Sequence, residues 1–170
     1  MFPDFLMQQA EELLARCREA RLKIATVESC TGGLVAALLT AIPGSSDVVE
    51  RGFVTYSNQA KQDLVAVPAA LLAQKGAVSS DVARAMAAGG LANSRADFCV
   101  SLTGIAGPGG GSATKPVGLV YLGVARRGQK ATAERCLFTG NRQEIRRAAL
   151  EKALVLLARQ TTPPSRGASH

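Results

Sequence analysis

The sequence contains only one histidine, His170, and it is the last residue of the chain. A Ser-His-Asp triad, a Cys-His pair and a histidine-based metal site all need an imidazole in the folded body of the protein. These sites are therefore excluded unless the chain terminus supplies that group. A nucleophile in this chain would need a different base.

Tryptophan is absent and aromatic residues make up only 4% of the 170 residues, whereas 47% of the residues are hydrophobic. Alanine, valine and leucine must therefore fill the core, and they are abundant enough to do so without metals or disulfides. The length fits one domain. We expect that domain to cover residues 1–160, followed by a tail over 161–170 that is disordered by composition.

Long apolar runs and paired cysteines are also missing. The longest apolar run, residues 34–42, has about nine residues and is broken by Thr40, whereas a bilayer span takes about 20. Glu11 and Glu12 interrupt the segment where a secretory signal would be apolar. The four cysteines lie far apart and form no CxxC pair, which indicates reduced thiols and no zinc site. We therefore expect a soluble, cytoplasmic protein without bound metal or membrane contact.

Positive charge is in excess, since 20 Lys and Arg residues against 13 Asp and Glu residues give a net charge of +7. Such a surplus favours anionic ligands in general. The basic residues are scattered, however, and the densest groups are Arg126 with Arg127 and Arg142 with Arg146 and Arg147. These groups are too small for a basic arm, so nucleic acid is not the partner that the sequence favours.

Helical and strand-like patterns alternate along the chain. Predicted helices cover residues 4–20, 34–41, 58–65, 68–75, 81–93 and 141–160, and predicted strands cover 23–28, 48–56, 98–103, 119–125 and 133–138. Ser80 is expected to cap the fifth helix, and Asn141 with Glu144 resembles a capping box at the start of the last. This alternation predicts a three-layer α/β domain with a mostly parallel sheet.

The first segment with chemical potential follows the first predicted strand and runs from Glu28 to Gly33. A serine on a strand-to-helix turn, here Ser29, lies at the carboxyl edge of the sheet, where ligands of α/β proteins bind. The free N–H groups of such a turn can stabilise an oxyanion. The spacing equally fits an ordinary turn in which Ser29 or Thr31 caps the helix, and Cys30 is a rival nucleophile.

Tyr56 to Lys61 follow the second predicted strand. Without a usable histidine, a desolvated Lys61 is an attractive general base for a serine, and Tyr56 could relay or orient the proton. The alternative is a solvated lysine on a short helix.

Two further segments suit an anionic ligand. A glycine-rich loop begins at Thr103 and Gly104, and its exposed N–H groups suit phosphate although it matches neither a Walker A loop nor GxGxxG. Arg142 lies in the first turn of the last helix, where its charge opposes the helix dipole. That placement points to an anionic partner, and Arg146, one turn further along, is the alternative ligand.

Together these segments resemble the C-terminal domain of CinA proteins. The matching stretches run in order over about residues 5–160 and comprise ATVESCTGG (25–33), PGSS (43–46), RGFVTYSN (51–58), GAVS (76–79), TGIAGP with two glycines (103–111), KPVG (115–118) and GNR (140–142). The resemblance implies an α/β/α sandwich around a mixed sheet with one antiparallel strand. The N-terminal pyrophosphatase domain of full-length CinA proteins is absent, so that activity is not expected.

The resemblance also implies an activity: hydrolysis of the carboxamide of nicotinamide mononucleotide to nicotinic acid mononucleotide and ammonia, in pyridine-nucleotide salvage. It implies a Ser-Lys site without cofactor or metal. We also expect a homo-oligomer. By position, Ser29 is the nucleophile, Lys61 the base and Tyr56 a further catalytic residue. The implied substrate-binding residues are Thr31, Gly32, Gly33, Ser45, Thr103, Gly104 and Arg142, with backbone groups near Gly32 and Gly33 holding the oxyanion. A catalytically silent nucleotide- or protein-binding module is the alternative.

Overall fold

A computed structural model describes residues 1–162 of the chain. The helices are α1 (Asp4–Ala20), α2 (Leu34–Thr40), α3 (Asn58–Val65), α4 (Ala69–Lys75), α5 (Ser80–Ala92) and α6 (Arg142–Gln160). The strands are β1 (Ile24–Glu28), β2 (Val49–Val54), β3 (Phe98–Gly104), β4 (Leu119–Arg126) and β5 (Thr132–Leu137). Every predicted helix and strand is confirmed to within about two residues at each end. Most of the predicted tail, residues 163–170, lies outside the described residues.

The five strands form one sheet in the order β2-β1-β3-β4-β5. β1 pairs in parallel with β2 and β3, whereas β4 pairs antiparallel with both β3 and β5. A single strand therefore opposes the other four, which confirms the mixed sheet. An all-parallel sheet is not possible at β4. Residues 105–118 join β3 to β4 without the crossover helix that a parallel pair needs.

Helices cover both faces of the sheet and confirm the three-layer sandwich. Apolar residues of α1, α2 and α6 form one core cluster, and those of α3, α4 and α5 form the other. In β3, Phe98, Val100 and Leu102 belong to the first cluster while Cys99 belongs to the second, as the alternation of side chains along a strand requires. All five residues of β1 are buried, because this strand is central and covered on both faces.

The helix starts follow from side-chain capping, with one correction. At α6 the Glu144 N–H donates to Asn141 Oδ1 at 3.0 Å and the Asn141 N–H donates to Glu144 Oε2 at 2.7 Å, so the capping box is confirmed. At α5 the predicted cap is wrong by one residue. Ser79 is the cap, and its hydroxyl accepts from the Val82 N–H at 3.2 Å. Ser80 lies inside the helix, and its hydroxyl accepts from Arg84.

The parallel strands β1, β2 and β3 all end at one edge of the sheet, at Glu28, Val54 and Gly104. The segments that follow these strands are therefore brought together at that edge. The described residues contain no helix that is long and apolar enough to cross a membrane.

Candidate active site

A cleft of about 210 Å³ opens at the carboxyl edge of the parallel strands. Its lining residues come from the ends of β1 and β3, from the start of α3, from the loop between α4 and α5 and from the start of α6. They are Ser29, Cys30, Tyr56, Asn58, Lys61, Ala77, Val78, Thr103, Gly104, Ala106 and Arg142. The cleft thus brings together seven of the residues that the sequence singled out: Ser29, its rival Cys30, Tyr56, Lys61, Thr103, Gly104 and Arg142.

Ser29 and Lys61 are in direct contact in this cleft. Lys61 Nζ lies 3.1 Å from Ser29 Oγ, 2.9 Å from the Thr55 carbonyl oxygen and 3.5 Å from the Tyr56 carbonyl oxygen. A neutral amine has two hydrogens and one lone pair, so it can donate to the two carbonyls and accept from the serine hydroxyl. The geometry therefore suits a lysine that takes a proton from Ser29.

The surroundings of Lys61 favour the neutral amine. The side chain is only 1% exposed, and burial lowers the pKa of Lys61 below its ordinary value. Among the described residues no carboxylate forms an ion pair with it. A lysine that is desolvated and lacks an anionic partner can act as a base closer to neutral pH than a solvated one.

Cys30, the rival nucleophile, is poorly suited to the role. Its side chain is buried within the core cluster beneath the cleft. Burial raises the pKa of the Cys30 thiol to about 11, and the nearby charge of Arg146 lowers it only in part. Because the thiolate is the reactive form, this cysteine stays largely unreactive near neutral pH.

The turn that carries Ser29 is fixed by a buried carboxylate. Glu28 Oε1 accepts from the Thr31 hydroxyl at 2.7 Å and from the Val35 N–H at 2.9 Å, and Glu28 Oε2 accepts from the Ala36 N–H at 3.1 Å. The negative charge also stabilises the N-terminus of α2. The Glu28 carboxylate therefore accepts hydrogen bonds from N–H groups of the first turn of α2.

This arrangement revises the expected oxyanion donors. The Gly32 N–H donates to the Ser29 carbonyl oxygen at 3.0 Å, so it is not free to bind an oxyanion. Within residues 1–162, the backbone N–H groups of Cys30, Thr31 and Gly33 have no hydrogen-bond acceptor. They are the donors that remain available on this turn.

The side chain of Tyr56 does not lie where a proton relay between Ser29 and Lys61 would lie. Only its main-chain carbonyl contacts Ser29 and Lys61, whereas its side chain is 63% exposed. The phenol oxygen accepts from Arg142 Nη2 at 3.3 Å, and Arg142 Nη1 donates to the Gly107 carbonyl oxygen at 2.8 Å. Tyr56 and Arg142 thus form the rim of the cleft, next to the glycine-rich loop.

Thr103 and Gly104 end β3 at the floor of the cleft. The Thr103 hydroxyl donates to the Ala77 carbonyl oxygen at 2.8 Å, which ties β3 to the loop before α5. A Cβ at Gly104 would lie 2.8 Å from the Leu119 carbonyl oxygen and 2.6 Å from Val120 Cγ2. The glycine therefore lets the backbones of β3 and β4 approach closely beside the cleft.

Four residues expected to bind substrate lie outside the cleft lining: Thr31, Gly32, Gly33 and Ser45. The Thr31 hydroxyl is used by Glu28. Ser45 belongs to a short 3-10 turn before β2, close to Val48, whose carbonyl accepts from the first residue of β1. It therefore lies at the amino edge of the sheet, separated from Ser29 by the length of β1, about 16 Å. The expectation that Ser45 of this chain joins the site is not supported by its position.

Sequence reasoning missed two polar residues beside the nucleophile. Glu28 preceded Ser29 in the motif, but only the fold reveals that its carboxylate caps α2. Arg146 was considered as a phosphate ligand, yet its guanidinium donates to the carbonyls of Cys30 and Thr31 and does not line the cleft. Residues 1–162 contain no cluster of three or more His, Cys, Asp or Glu side chains suited to a metal ion.

Comparison with known proteins gives the family. The CinA C-terminal domain model matches residues 6–161. The nicotinamide-nucleotide amidohydrolase PncC of Escherichia coli strain K12 is 48% identical over 156 residues, which cover 91% of this chain and 94% of that protein. A CinA-like protein of Citrifermentans bemidjiense is 45% identical over 96% of this chain. The chain spans 36 to 40% of the length of this and two further curated relatives.

The solved structures agree with the sequence relatives. The crystal structure of the competence/damage inducible protein CihA from Agrobacterium tumefaciens superposes with a TM-score of 0.93 at 45% identity, over 95% of this chain and 99% of that one. The fold and nearly the whole length of the chain are therefore shared. From the family match and these relatives, the chain belongs to the CinA C-terminal domain family.

Proposed function

We propose that this protein hydrolyses the carboxamide of nicotinamide mononucleotide to nicotinic acid mononucleotide and ammonia, as a step of pyridine-nucleotide salvage. The observation that carries the proposal is the buried contact of 3.1 Å between Lys61 Nζ and Ser29 Oγ. The similarity to the nicotinamide-nucleotide amidohydrolase of Escherichia coli, over nearly the full length of both chains, supports this choice of substrate.

In the first half-reaction Lys61 accepts the hydroxyl proton of Ser29 while Oγ attacks the carboxamide carbon. The carbonyl oxygen of the substrate becomes negatively charged in the tetrahedral intermediate. The donors proposed to stabilise it are the unpaired N–H group of Cys30, which lines the cleft, and those of Thr31 and Gly33, which follow on the same turn. Lys61 then returns the proton to the amide nitrogen, the C–N bond breaks, and ammonia leaves an ester on Ser29.

In the second half-reaction water cleaves that ester. Lys61, neutral again, removes a proton from a water molecule that attacks the acyl carbon, and the proton passes to Oγ as the carbon–oxygen bond to Ser29 breaks. The products are the free carboxylic acid and the regenerated serine. The lowered pKa of Lys61 serves both half-reactions, because the amine must be neutral at the start of each.

Substrate recognition is proposed for the residues of the rim and floor. Arg142 is the cationic side chain in the cleft lining that can bind the phosphate, and Tyr56 orients it through the contact of 3.3 Å. At the floor of the cleft, Gly104 supplies main-chain atoms and Thr103 supplies a small polar side chain. A guanidinium can bind phosphate through two parallel hydrogen bonds, which gives specificity as well as affinity.

Ammonia release with nicotinamide, its riboside, its mononucleotide and NAD as substrates tests the proposal. Turnover should be greatest with the mononucleotide and should be lost in Ser29→Ala. Tight binding of the mononucleotide without ammonia release would identify a binding module instead and would overturn the proposed activity.

A further inference from the structure

We propose that Arg146 is a positioning residue, which holds the turn bearing Ser29 in its reactive conformation through the carbonyl groups of Cys30 and Thr31. This inference rests on the proposed function, since it assigns a role in the same reaction. It gives Arg146 a task different from that of Arg142, although both residues lie on α6.

The contacts join parts of the chain that are far apart in sequence. Arg146 Nε donates to the Cys30 carbonyl oxygen at 3.2 Å, and Arg146 Nη2 donates to the Thr31 carbonyl oxygen at 3.1 Å. These pairs are separated by 116 and 115 positions. Because residues four apart lie on one face of a helix, α6 presents Arg142 to the cleft and Arg146 to the turn behind it.

The charge of Arg146 is not neutralised by a side chain. Among the described residues no carboxylate lies within ion-pair distance of it. Its neighbour Arg147, in contrast, pairs with Glu151 at 3.0 Å. A guanidinium directed at two carbonyl groups beside a nucleophile adds positive potential where negative charge develops in the transition state.

The two hydrogen bonds also fix the direction of a backbone donor. In a planar trans peptide the N–H points opposite to the C=O. The Cys30 carbonyl faces Arg146, so the N–H of Thr31 in the same peptide unit points away from the guanidinium. That N–H is one of the unpaired donors on the turn. A hydrogen bond to the carbonyl further polarises the peptide and makes this N–H a stronger donor.

Glu28 holds the turn from the other side, through the Thr31 hydroxyl and the start of α2. Thr31 is therefore fixed at its side chain by Glu28 and at its carbonyl by Arg146. A Cβ at Gly32 would lie 3.7 Å from Arg146 Nη2, and the φ of +60° at this residue suits glycine. The distance of 3.7 Å is an ordinary van der Waals contact, so the positive φ, and not the closeness of the guanidinium, is what favours glycine here.

The test compares Arg146→Gln and Arg146→Lys with the wild type, with Arg147→Gln as the matched control. Arg147 is one residue further along the same helix, and its substitution removes one charge at the surface. Two quantities are measured: kcat and KM for ammonia release, and the rate at which phenylmethylsulfonyl fluoride modifies Ser29, followed by intact mass. In that modification Oγ bonds to sulfur, fluoride leaves and Lys61 takes the proton, so no mononucleotide is needed.

For Arg146→Gln we expect kcat to fall about 10- to 100-fold, since misplacing a reacting group by an ångström costs that much, while KM changes less than about threefold. The rate constant for Ser29 modification should fall in parallel. Arg146→Lys should recover only part of the loss because an ammonium lacks the planar fork. Arg147→Gln should behave as wild type. A merely structural role would reduce the fraction of protein that reacts, but not the rate constant of the molecules that do.

Three results would overturn the inference. An unchanged rate of Ser29 modification in Arg146→Gln would show that the turn does not depend on Arg146. A loss confined to KM for the mononucleotide would make Arg146 a substrate ligand. In both cases the wild type remains active and the proposed function stands. If the wild type itself neither releases ammonia nor reacts at Ser29, the proposed function fails, and this inference fails with it.

Discussion

Lys61 Nζ and Ser29 Oγ lie 3.1 Å apart although 32 positions separate the two residues in the chain. The pairing of β1 with β2 explains this proximity, because Glu28 lies opposite Val54 and the Thr55 N–H donates to the Glu28 carbonyl oxygen at 2.8 Å. The strand ends are thus joined just before the nucleophile and just before α3. One turn into α3, the lysine side chain reaches back to the serine.

The first prediction concerns the nucleophile. Ser29→Ala should reduce kcat for ammonia release by about 10⁴-fold or more, as expected for loss of the attacking atom. Cys30→Ala should retain most of the activity, because burial keeps the Cys30 thiol protonated near neutral pH. Ammonia release is measured for both variants, and thermal unfolding curves of the same samples show that both are folded. An active Ser29→Ala beside an inactive Cys30→Ala would reverse the assignment.

The second prediction concerns the base. Lys61→Arg keeps the charge but should be nearly inactive, because a guanidinium does not lose its proton in a protein. In the wild type, kcat/KM should rise with pH as Lys61 deprotonates, with an apparent pKa below the free lysine value of about 10.4. The pH–rate profile between pH 6 and 10 measures this pKa. Substantial turnover by Lys61→Arg would limit Lys61 to an electrostatic role.

The third prediction links the same lysine to stability. Burial lowers the pKa of Lys61 in the folded state, so between that pKa and about 10.4 the unfolded chain binds more protons. The free energy of unfolding contributed by this residue therefore rises with pH in that interval and is constant below it. Lys61→Met removes this titration. The free energy of unfolding of the wild type minus that of the variant should therefore increase with pH.

Urea unfolding between pH 7 and 10.5 measures this difference. The thiols of Cys17 and Cys99 are present in both proteins, so their titration cancels in the subtraction. The charge of Lys61 acts on the pKa of Cys30, so all proteins in this comparison also carry Cys30→Ala. Ser29→Ala is the matched control, since it removes the catalytic hydroxyl but retains Lys61 and should show the pH dependence of the wild type. A difference between wild type and Lys61→Met that does not change with pH would mean that the amine is as well solvated in the fold as in the unfolded chain.

Local sequence signals were sufficient for most of the fold. The capping box of Asn141 and Glu144, and the apolar spacing of α1, depend on residues that are close in sequence, and both were predicted correctly. The cap of α5 was displaced by one residue because Ser79 and Ser80 have equal propensity. The direction of β4 was not encoded locally, because it depends on how the loop of residues 105–118 turns.

The candidate site was predictable to a smaller extent. Ser29 and Lys61 follow strands β1 and β2, and Thr103 lies at the end of β3. These strands end at one edge, so motif and strand order suffice to bring the three residues together. The roles of Glu28 and Arg146 depend on hydrogen bonds to main-chain groups, which leave no pattern in the sequence. Ser45 lies within a matching motif, but its carbonyl accepts from the Val48 N–H, and Val48 in turn accepts from Ile24 at the start of β1, so it lies at the opposite edge of the sheet.

The last prediction concerns the phosphate. Nicotinamide riboside carries the same scissile amide as the mononucleotide but lacks the phosphate. If Arg142 binds that group, Arg142→Ala should lower kcat/KM for the mononucleotide by about 30- to 1,000-fold, equivalent to roughly 2–4 kcal/mol for a charge-assisted bidentate contact. The turnover of the riboside, which we expect to be low in the wild type, should hardly change. Arg142→Lys should restore only part of the activity, because an ammonium cannot bind bidentately.

Arg146→Ala is the matched comparison from the same helix face, and it should reduce turnover of both substrates by the same factor, since its contacts are with the nucleophile turn. Equal losses on both substrates in Arg142→Ala would mean that this arginine shapes the rim through Tyr56 and Gly107 and does not bind the phosphate.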